Sequence, residues 1–145
     1  MRVAIGSDHA GYKLKEHLRS RLVAWSHEVV DLGTTSTESV DYPDFGAAVG
    51  RAVVDGRAER GVAICGSGIG ISMAANKVPG VRAALVQEQL AARLSREHND
   101  ANVICFGERL IGVAHAEAAL EVFLATPFSG GRHAGRVDKL RALDE

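Results

Sequence analysis

The sequence predicts an α/β protein: a single three-layer α/β/α domain, Rossmann-like in plan, built on a five-stranded parallel sheet. Three observations predict it. Short β-branched runs alternate with longer stretches of helical period, the pattern left by helical crossovers between parallel strands. No linker, repeat or low-complexity stretch interrupts that alternation along 145 residues, and such a chain forms one domain that buries roughly two-thirds of its unfolded surface. Hydrophobic residues make up 46% of the chain and charged residues 24%, which is enough apolar material to cover both faces of a sheet.

The expected strands are Arg2 to Gly6, Glu28 to Leu32, Gly61 to Cys65, Val81 to Val86 and Asn102 to Phe106. Each is an apolar run too short for a helix and bounded by polar or turn residues. Helices are expected over Tyr12 to Trp25, Tyr42 to Asp55, Ile69 to Lys77, Gln87 to His98 and Gly112 to Leu124. In the first, Leu14, Leu18, Leu22 and Trp25 recur on one face of a 3.6-residue period. Leu90, Leu94 and His98 predict a similar face for the fourth. A terminal helix over 132–143 follows Phe128-Ser129-Gly130-Gly131.

Composition excludes several classes of function. A formal net charge of −1 gives no electrostatic reason to bind nucleic acid or an anionic membrane. No apolar stretch approaches the roughly 20 residues of a membrane span. Met1-Arg2-Val3-Ala4-Ile5 runs straight into a strand pattern without the layout of a signal peptide. Cys65 and Cys105 each end or occupy an apolar strand, so the expectation is reduced thiols in a cytoplasmic protein.

Ligands of open α/β sheets bind beyond the carboxyl ends of the strands. The third strand ends there in Cys65, followed by Gly66-Ser67-Gly68-Ile69-Gly70 and a helical stretch. Bare backbone N–H groups in such a loop, with a helix N-terminus behind them, form an anion site, and the same positive field favours a thiolate. A base and an oxyanion hole thus fall within one turn of chain. The dinucleotide fingerprint Gly-x-Gly-x-x-Gly fits less well: Gly70 comes one position early and Ile71 stands where the last glycine belongs. Glu88 lies about where the ribose-binding acid of that fingerprint would be, which keeps a non-catalytic nucleotide-binding module as an alternative.

The other strand ends add polar residues. Asp8 and His9 follow the first strand, Asp41 and Tyr42 precede the second helix, and Glu108 and Arg109 follow the fifth strand. Asp8 suits a helix N-cap as well as a ligand contact, and His98 and Asn99 suit a helix C-terminus as well as a site. Arg132 and Arg136 lie four apart on the terminal helix, where an anion between them turns their repulsion into attraction. Cys105 has no glycine loop behind it and is expected in the core, while His17, His27 and His115 have no spaced partners. Neither His-x-x-x-His nor Cys-x-x-Cys occurs, so no metal is expected.

A thiol base, an oxyanion hole, a histidine and arginines suit the transfer of a proton between the first two carbons of a sugar phosphate, through an enediolate and without a cofactor.

These residues fall in motifs that resemble a known family. Ser-Asp-His-Ala-Gly at 7–11, Asp-Tyr-Pro at 41–43, Cys-Gly-Ser-Gly-Ile-Gly-Ile-Ser at 65–72, Ala-Ala-Asn-Lys at 74–77, Ser-Arg-Glu-His-Asn-Asp at 95–100 and Gly-Gly-Arg-His at 130–133 resemble type B ribose-5-phosphate isomerase. The likeness runs in order through nearly the whole chain. It implies a strand order beginning 2-1-3, a role in pentose phosphate metabolism, and the following functions. Cys65 is the proton-transferring base, with Gly66, Gly68, Ile69 and Gly70 in the anion hole. Ser67 and His98 assist ring opening, Asp8 orients sugar hydroxyls, Asn99 contacts the reacting oxygens and Tyr42 lines the pocket. His9, Arg109, Arg132 and Arg136 surround the phosphate, with His133 a weaker candidate. A branch of the family uses a glutamate after the third glycine instead of the cysteine; Ile71 stands there in this chain, so the base rests on Cys65 alone. The resemblance also implies a homodimer or dimer of dimers with sites between subunits, in which His98, Asn99 and Arg109 face the partner's glycine loop. Allose 6-phosphate and galactose 6-phosphate are the competing substrates. The lactose-pathway galactose-6-phosphate isomerases divide their site between two different chains, whereas this chain carries the whole set.

Overall fold

The computed structural model describes residues 1–144. The elements are β1 (Arg2–Ser7), α1 (Tyr12–Ala24), β2 (Glu28–Asp31), α2 (Tyr42–Val54), β3 (Arg60–Cys65), α3 (Ile69–Asn76), β4 (Ala83–Leu85), α4 (Gln89–Glu97), β5 (Val103–Gly107), α5 (Val113–Ala125) and α6 (Arg132–Arg141), with a 3₁₀ turn at His9–Gly11. All strand pairs are parallel, in the order β2-β1-β3-β5-β4.

Alternation along the central strands divides the core into two layers. Val3, Ile5, Val62, Ile64, Ile104 and Phe106 point to one face, where Leu14, Leu18 and Leu22 of α1 and Ala116, Leu120 and Phe123 of α5 cover them. Ala4, Ala63, Cys65, Val103 and Cys105 point to the other, against Val49 and Ala52 of α2 and Ile71 and Ala75 of α3. Cys65 thus belongs to the α2–α3 layer, and its sulfur lies at the end of that layer where the strand stops.

The strand order decides what can meet. It reverses between β1 and β3, opening a crevice at their carboxyl ends. Because β5 inserts between β3 and β4, Gly107 lies opposite Cys65 in the ladder, and the chain after β5 leaves beside the glycine loop.

Most element boundaries lie within one residue of the expectation, and three lie two residues away. The fourth strand is confined to Ala83–Leu85, because the N–H of Arg82 is taken by the Asn102 side chain at 2.8 Å instead of a ladder carbonyl. The fourth helix starts at Gln89: the Glu88 carboxylate caps it, accepting from the N–H groups of Leu90 at 2.7 Å and Ala91 at 2.6 Å. The last helix ends at Arg141, short of residue 143. The apolar face expected from Leu90, Leu94 and His98 is also wrong. Leu90 is half exposed, and the buried side of α4 consists of Ala92, Ser95 and Arg96.

On the outer side, α1 and α5 are joined through Glu117, which holds His17 at 3.0 Å and Arg21 at 2.9 Å. The hydrogen bond from His17, aided by the charge of Arg21, keeps the Glu117 carboxyl below its ordinary 4.5. A depressed folded-state value contributes stability above the unfolded value, and that stability is lost as pH falls through the folded one. Glu117→Gln is therefore expected to lower Tm at neutral pH, with the gap to wild type closing as pH drops below 4.5 in thermal melts.

Candidate active site

The floor of the crevice is the turn that ends β3. Gly68 has φ 77°, the left-handed region, and this reversal sends its N–H back to Cys65, 3.1 Å from Sγ. A side chain at Gly68 would also strike Leu85 and the backbone of Phe106. Helix α3 begins at the next residue, so its positive end adds to the potential around the sulfur. Ser67 Oγ accepts from the N–H of Ile69 at 3.2 Å, which leaves its hydroxyl proton free to point into the cleft.

The walls come from three other strand ends. Asp8 is buried and caps the 3₁₀ turn, with Oδ1 accepting from Ala10 at 3.0 Å and Gly11 at 3.1 Å. The expected N-cap is therefore real, and it orients the same carboxylate that lines the cleft. His9 Nδ1 lies 3.1 Å from the Val40 nitrogen and 3.2 Å from the Val40 carbonyl oxygen, so the ring is held by the backbone of the loop before α2. Tyr42, at the start of α2 ahead of Pro43, lays its ring where a Cβ at Gly70 would be, 2.6 Å from Cε1, so only glycine admits this contact. Arg109 arrives from the β5 end, its N–H donating to the Gly66 carbonyl at 3.0 Å while Glu108 N–H donates to that of Cys65 at 2.9 Å.

Together these residues line a cleft of ≈ 510 Å³: Asp8, His9, Tyr42, Cys65, Gly66, Ser67, Ile69, Gly70 and Arg109, with Ala10 and Met73. A carboxylate, a thiol, a hydroxyl, an imidazole and a guanidinium converge on one small volume, open to solvent and sized for a compact polar ligand. Gly68 stands behind this surface and acts through its backbone.

Four expected residues lie outside the cleft within one chain. His98 is the C-terminal cap of α4, its N–H donating to the Leu94 carbonyl at 2.9 Å. Its ring stacks on that of His133, with centroids 4.3 Å apart and planes inclined by 15°. Arg132 and Arg136 are exposed on the first turns of α6 beside that stack. Partial burial, followed by the charges of His98, Arg132 and Arg136, pushes the His133 imidazole below its ordinary value. Asn99 does not cap α4; the left-handed residue there is Asp100, at φ 49°, and Asn99 lines a separate cleft with Asn76 and Arg82. One chain thus carries two groups, a thiol cleft and a histidine–arginine face.

Arg109 departs from the expectation of facing a partner's glycine loop: it packs against its own, because β5 neighbours β3. Glu88 is spent on capping α4, so the acid required by the dinucleotide alternative is already engaged elsewhere. Glu108 was placed among the strand-end residues without a role; its Oε1 accepts from Leu14 N–H at 2.6 Å and ties the β5 loop to the first turn of α1. Met73 was missed, since a methionine one helical turn beyond the glycine loop reads as core. Ile71 is fully buried and could serve no base in the cleft. Among the described residues no group of three or more His, Cys, Asp or Glu side chains gathers as a metal site.

Comparison with known proteins shows the family and the fold. Residues 3–140 match the family described as Ribose/Galactose Isomerase. The chain is 42% identical over 144 residues to ribose-5-phosphate isomerase B of Escherichia coli strain K12, covering 99% of this chain and 97% of the relative. Its fold superposes on the ribose-5-phosphate isomerase B of Clostridium thermocellum with a TM-score of 0.98 at 51% identity, covering 99% of this chain and 97% of that one. The type B ribose 5-phosphate isomerase of Trypanosoma brucei superposes with a TM-score of 0.93 at 47% identity, over 98% and 97% of the two chains.

The two thiols are expected to differ in reactivity. Cys105 is fully buried, and that burial pushes its thiol far up, whereas Cys65 opens on the cleft. Brief treatment of the native protein with iodoacetamide should alkylate Cys65 alone, as read by peptide mass spectrometry, with Cys105 labelled only after unfolding.

Proposed function

This chain belongs to the ribose/galactose isomerase family, and from that premise we propose that it interconverts ribose 5-phosphate and ribulose 5-phosphate, with Cys65 moving the proton. The observation that carries this reading is the Cys65 sulfur, 3.1 Å from the Gly68 nitrogen, at a cleft that the buried Asp8 also lines.

The reaction begins with a closed furanose. A proton leaves the anomeric hydroxyl and one reaches the ring oxygen as the bond between that oxygen and C1 breaks; His98 and Ser67 serve this step. The Cys65 thiolate then takes the proton from C2, and the electron pair moves through the new C1–C2 double bond onto the C1 oxygen. Backbone N–H groups between Gly66 and Gly70 hold that oxyanion, and each such donor contributes about 3–4 kcal/mol in comparable sites. The C2 hydroxyl then passes its proton to the C1 oxygen and the thiol returns the first proton to C1, which leaves a carbonyl at C2 and a hydroxyl at C1, the ketose. Asp8 and Asn99 orient the oxygens and Tyr42 walls the pocket. His9, Arg109, Arg132 and Arg136 bind the phosphate, whose remote binding energy holds the reacting carbons against the sulfur. The chemistry needs no metal or organic cofactor.

We further propose that a second copy of the chain completes the site, as a homodimer or dimer of dimers. The separation of the thiol cleft from His98, Asn99, Arg132 and Arg136 supports this, as do the half-exposed Ile69 and the largely exposed Met73 on the cleft's rim. No described helix is long and apolar enough to cross a membrane, and both cysteines are free thiols, which supports a cytoplasmic enzyme.

Cys65→Ala is expected to lower kcat for ribose 5-phosphate by at least about 10²–10⁴-fold while calorimetry shows nearly unchanged substrate binding. Ordinary turnover by that variant would overturn the role of the thiol. Wild-type turnover should survive a chelator, and allose 6-phosphate and galactose 6-phosphate assayed alongside decide the sugar. Thermal stabilisation by NAD or ATP but not by ribose 5-phosphate would favour the nucleotide-binding alternative.

A further inference from the structure

The motif Ser95-Arg96-Glu97-His98-Asn99-Asp100 contains a charged pair, Arg96 and Asp100, that the proposed chemistry does not use. Arg96 is almost wholly buried, and two of its guanidinium nitrogens are held by hydrogen bonds. Nη1 donates to Asp100 Oδ1 at 2.8 Å and to the Ala101 carbonyl at 2.7 Å, and Nε donates to the Thr126 carbonyl at 3.0 Å, where α5 ends. Asp100 collects two more arginines on its other oxygen: Arg82, ahead of β4, at 3.3 Å, and Arg141, the last residue of α6, at 3.8 Å. Arg82 Nε also donates to the Asp100 carbonyl at 2.9 Å. Asp100 holds its left-handed φ of 49° against the ordinary steric preference, so the surrounding contacts over-determine it.

The two residues just before Asp100 are His98 and Asn99, and the helix that Arg141 ends is the one that begins with Arg132, His133 and Arg136. Two further contacts tie the same parts: Ser129 N–H donates to the Glu97 carbonyl at 3.1 Å, and Asp144 Oδ2 accepts from Gly80 N–H at 2.8 Å. We propose that Asp100, by gathering Arg82, Arg96 and Arg141, is the positioning residue that fixes His98 and Asn99, at the end of α4, against Arg132, His133 and Arg136 of α6. It touches no substrate and acts through the residues it holds. The buried pair with Arg96 supplies most of the restraint, since a buried charge without its partner is strongly disfavoured, whereas the longer, exposed contact with Arg141 adds less. This rests on the reading that His98 opens the ring and the arginines bind phosphate.

The test separates ring opening from proton transfer. Ribulose 5-phosphate is acyclic, because its 5-hydroxyl is esterified. In deuterated water the thiolate removes a C1 proton, the electron pair rests on the C2 oxygen, and a solvent deuteron returns to C1, with no ring formed. Asp100→Asn keeps the size and turn preference of the residue but removes its charge. It is expected to lower kcat for ribose 5-phosphate by about ten- to a hundredfold, while deuterium exchange into saturating ribulose 5-phosphate, which needs Asn99 and the arginines but no ring opening, falls by a clearly smaller factor. Full isomerase activity, or equal losses of isomerisation and exchange, would overturn the proposal. If Asp100→Asn does not fold, Arg141→Gln decides, since Arg141 is half exposed: KM should rise about two- to fivefold with kcat and Tm retained, and an unchanged KM overturns the proposal. His98→Ala is run in parallel. Undiminished isomerisation by that variant overturns the ring-opening role and the proposal together, whereas its loss beside a fully active Asp100→Asn overturns the proposal alone.

Discussion

A backbone reversal at Gly68 holds the thiol cleft together. Its left-handed conformation turns one N–H back onto the Cys65 sulfur and starts α3 on the following residue. The same few atoms thereby stop β3 and place a donor against the thiol, while the next amide, that of Ile69, donates to Ser67 Oγ. A residue with a Cβ could neither hold that φ without strain nor fit beside Leu85 and the Phe106 backbone. The turn is also anchored from the opposite side, because Glu108 and Arg109 donate to the carbonyls of Cys65 and Gly66. Anion site and thiol are consequently one rigid unit.

The second group of polar residues is built on different principles. His98, Asn99 and the α6 arginines stand at helix ends, where backbone alone gives little rigidity, and the structure supplies it with charge. Arg96 lies in the interior of that region, where the carbonyls of Ala101 and Thr126 and the partly buried Asp100 carboxylate accept its N–H groups. Lys15 does comparable work beneath the other rim. Its Nζ is fully buried against both oxygens of Asp31, at 2.9 and 3.0 Å. Asp31 in turn accepts from Gly33 N–H, and the Gly33 carbonyl accepts from Ser7, the residue before Asp8. Buried ion pairs are weak sources of net stability but costly to break singly, which suits them to holding geometry.

Much of this was legible in the chain. The alternation of apolar runs predicted every strand and helix in order, because strand and helix periods differ and no element is ambiguous in length. The glycine loop, Asp8, His9, Tyr42 and Arg109 were found by their position after strands. Errors cluster where side chains compete with the backbone. Asn102 shortened β4, Glu88 delayed α4, and the charged inner face of that helix made Leu90 and Leu94 misleading. A buried arginine or lysine carries no periodic signature, so nothing in the sequence marks Arg96 and Lys15 as interior residues.

By itself the sequence determined the local chemistry: which residues end each strand, which glycines turn and which thiol lies at a loop mouth. Those features depend on neighbours within a few positions, where backbone stereochemistry acts. The tertiary structure alone decided which strand ends meet. Inserting β5 between β3 and β4 brought Arg109 to its own glycine loop, and the docking of α4 and α6 brought His98 onto His133 and away from Cys65. Strand order and helix docking follow from burial summed over the whole core, and no short stretch of sequence encodes that sum.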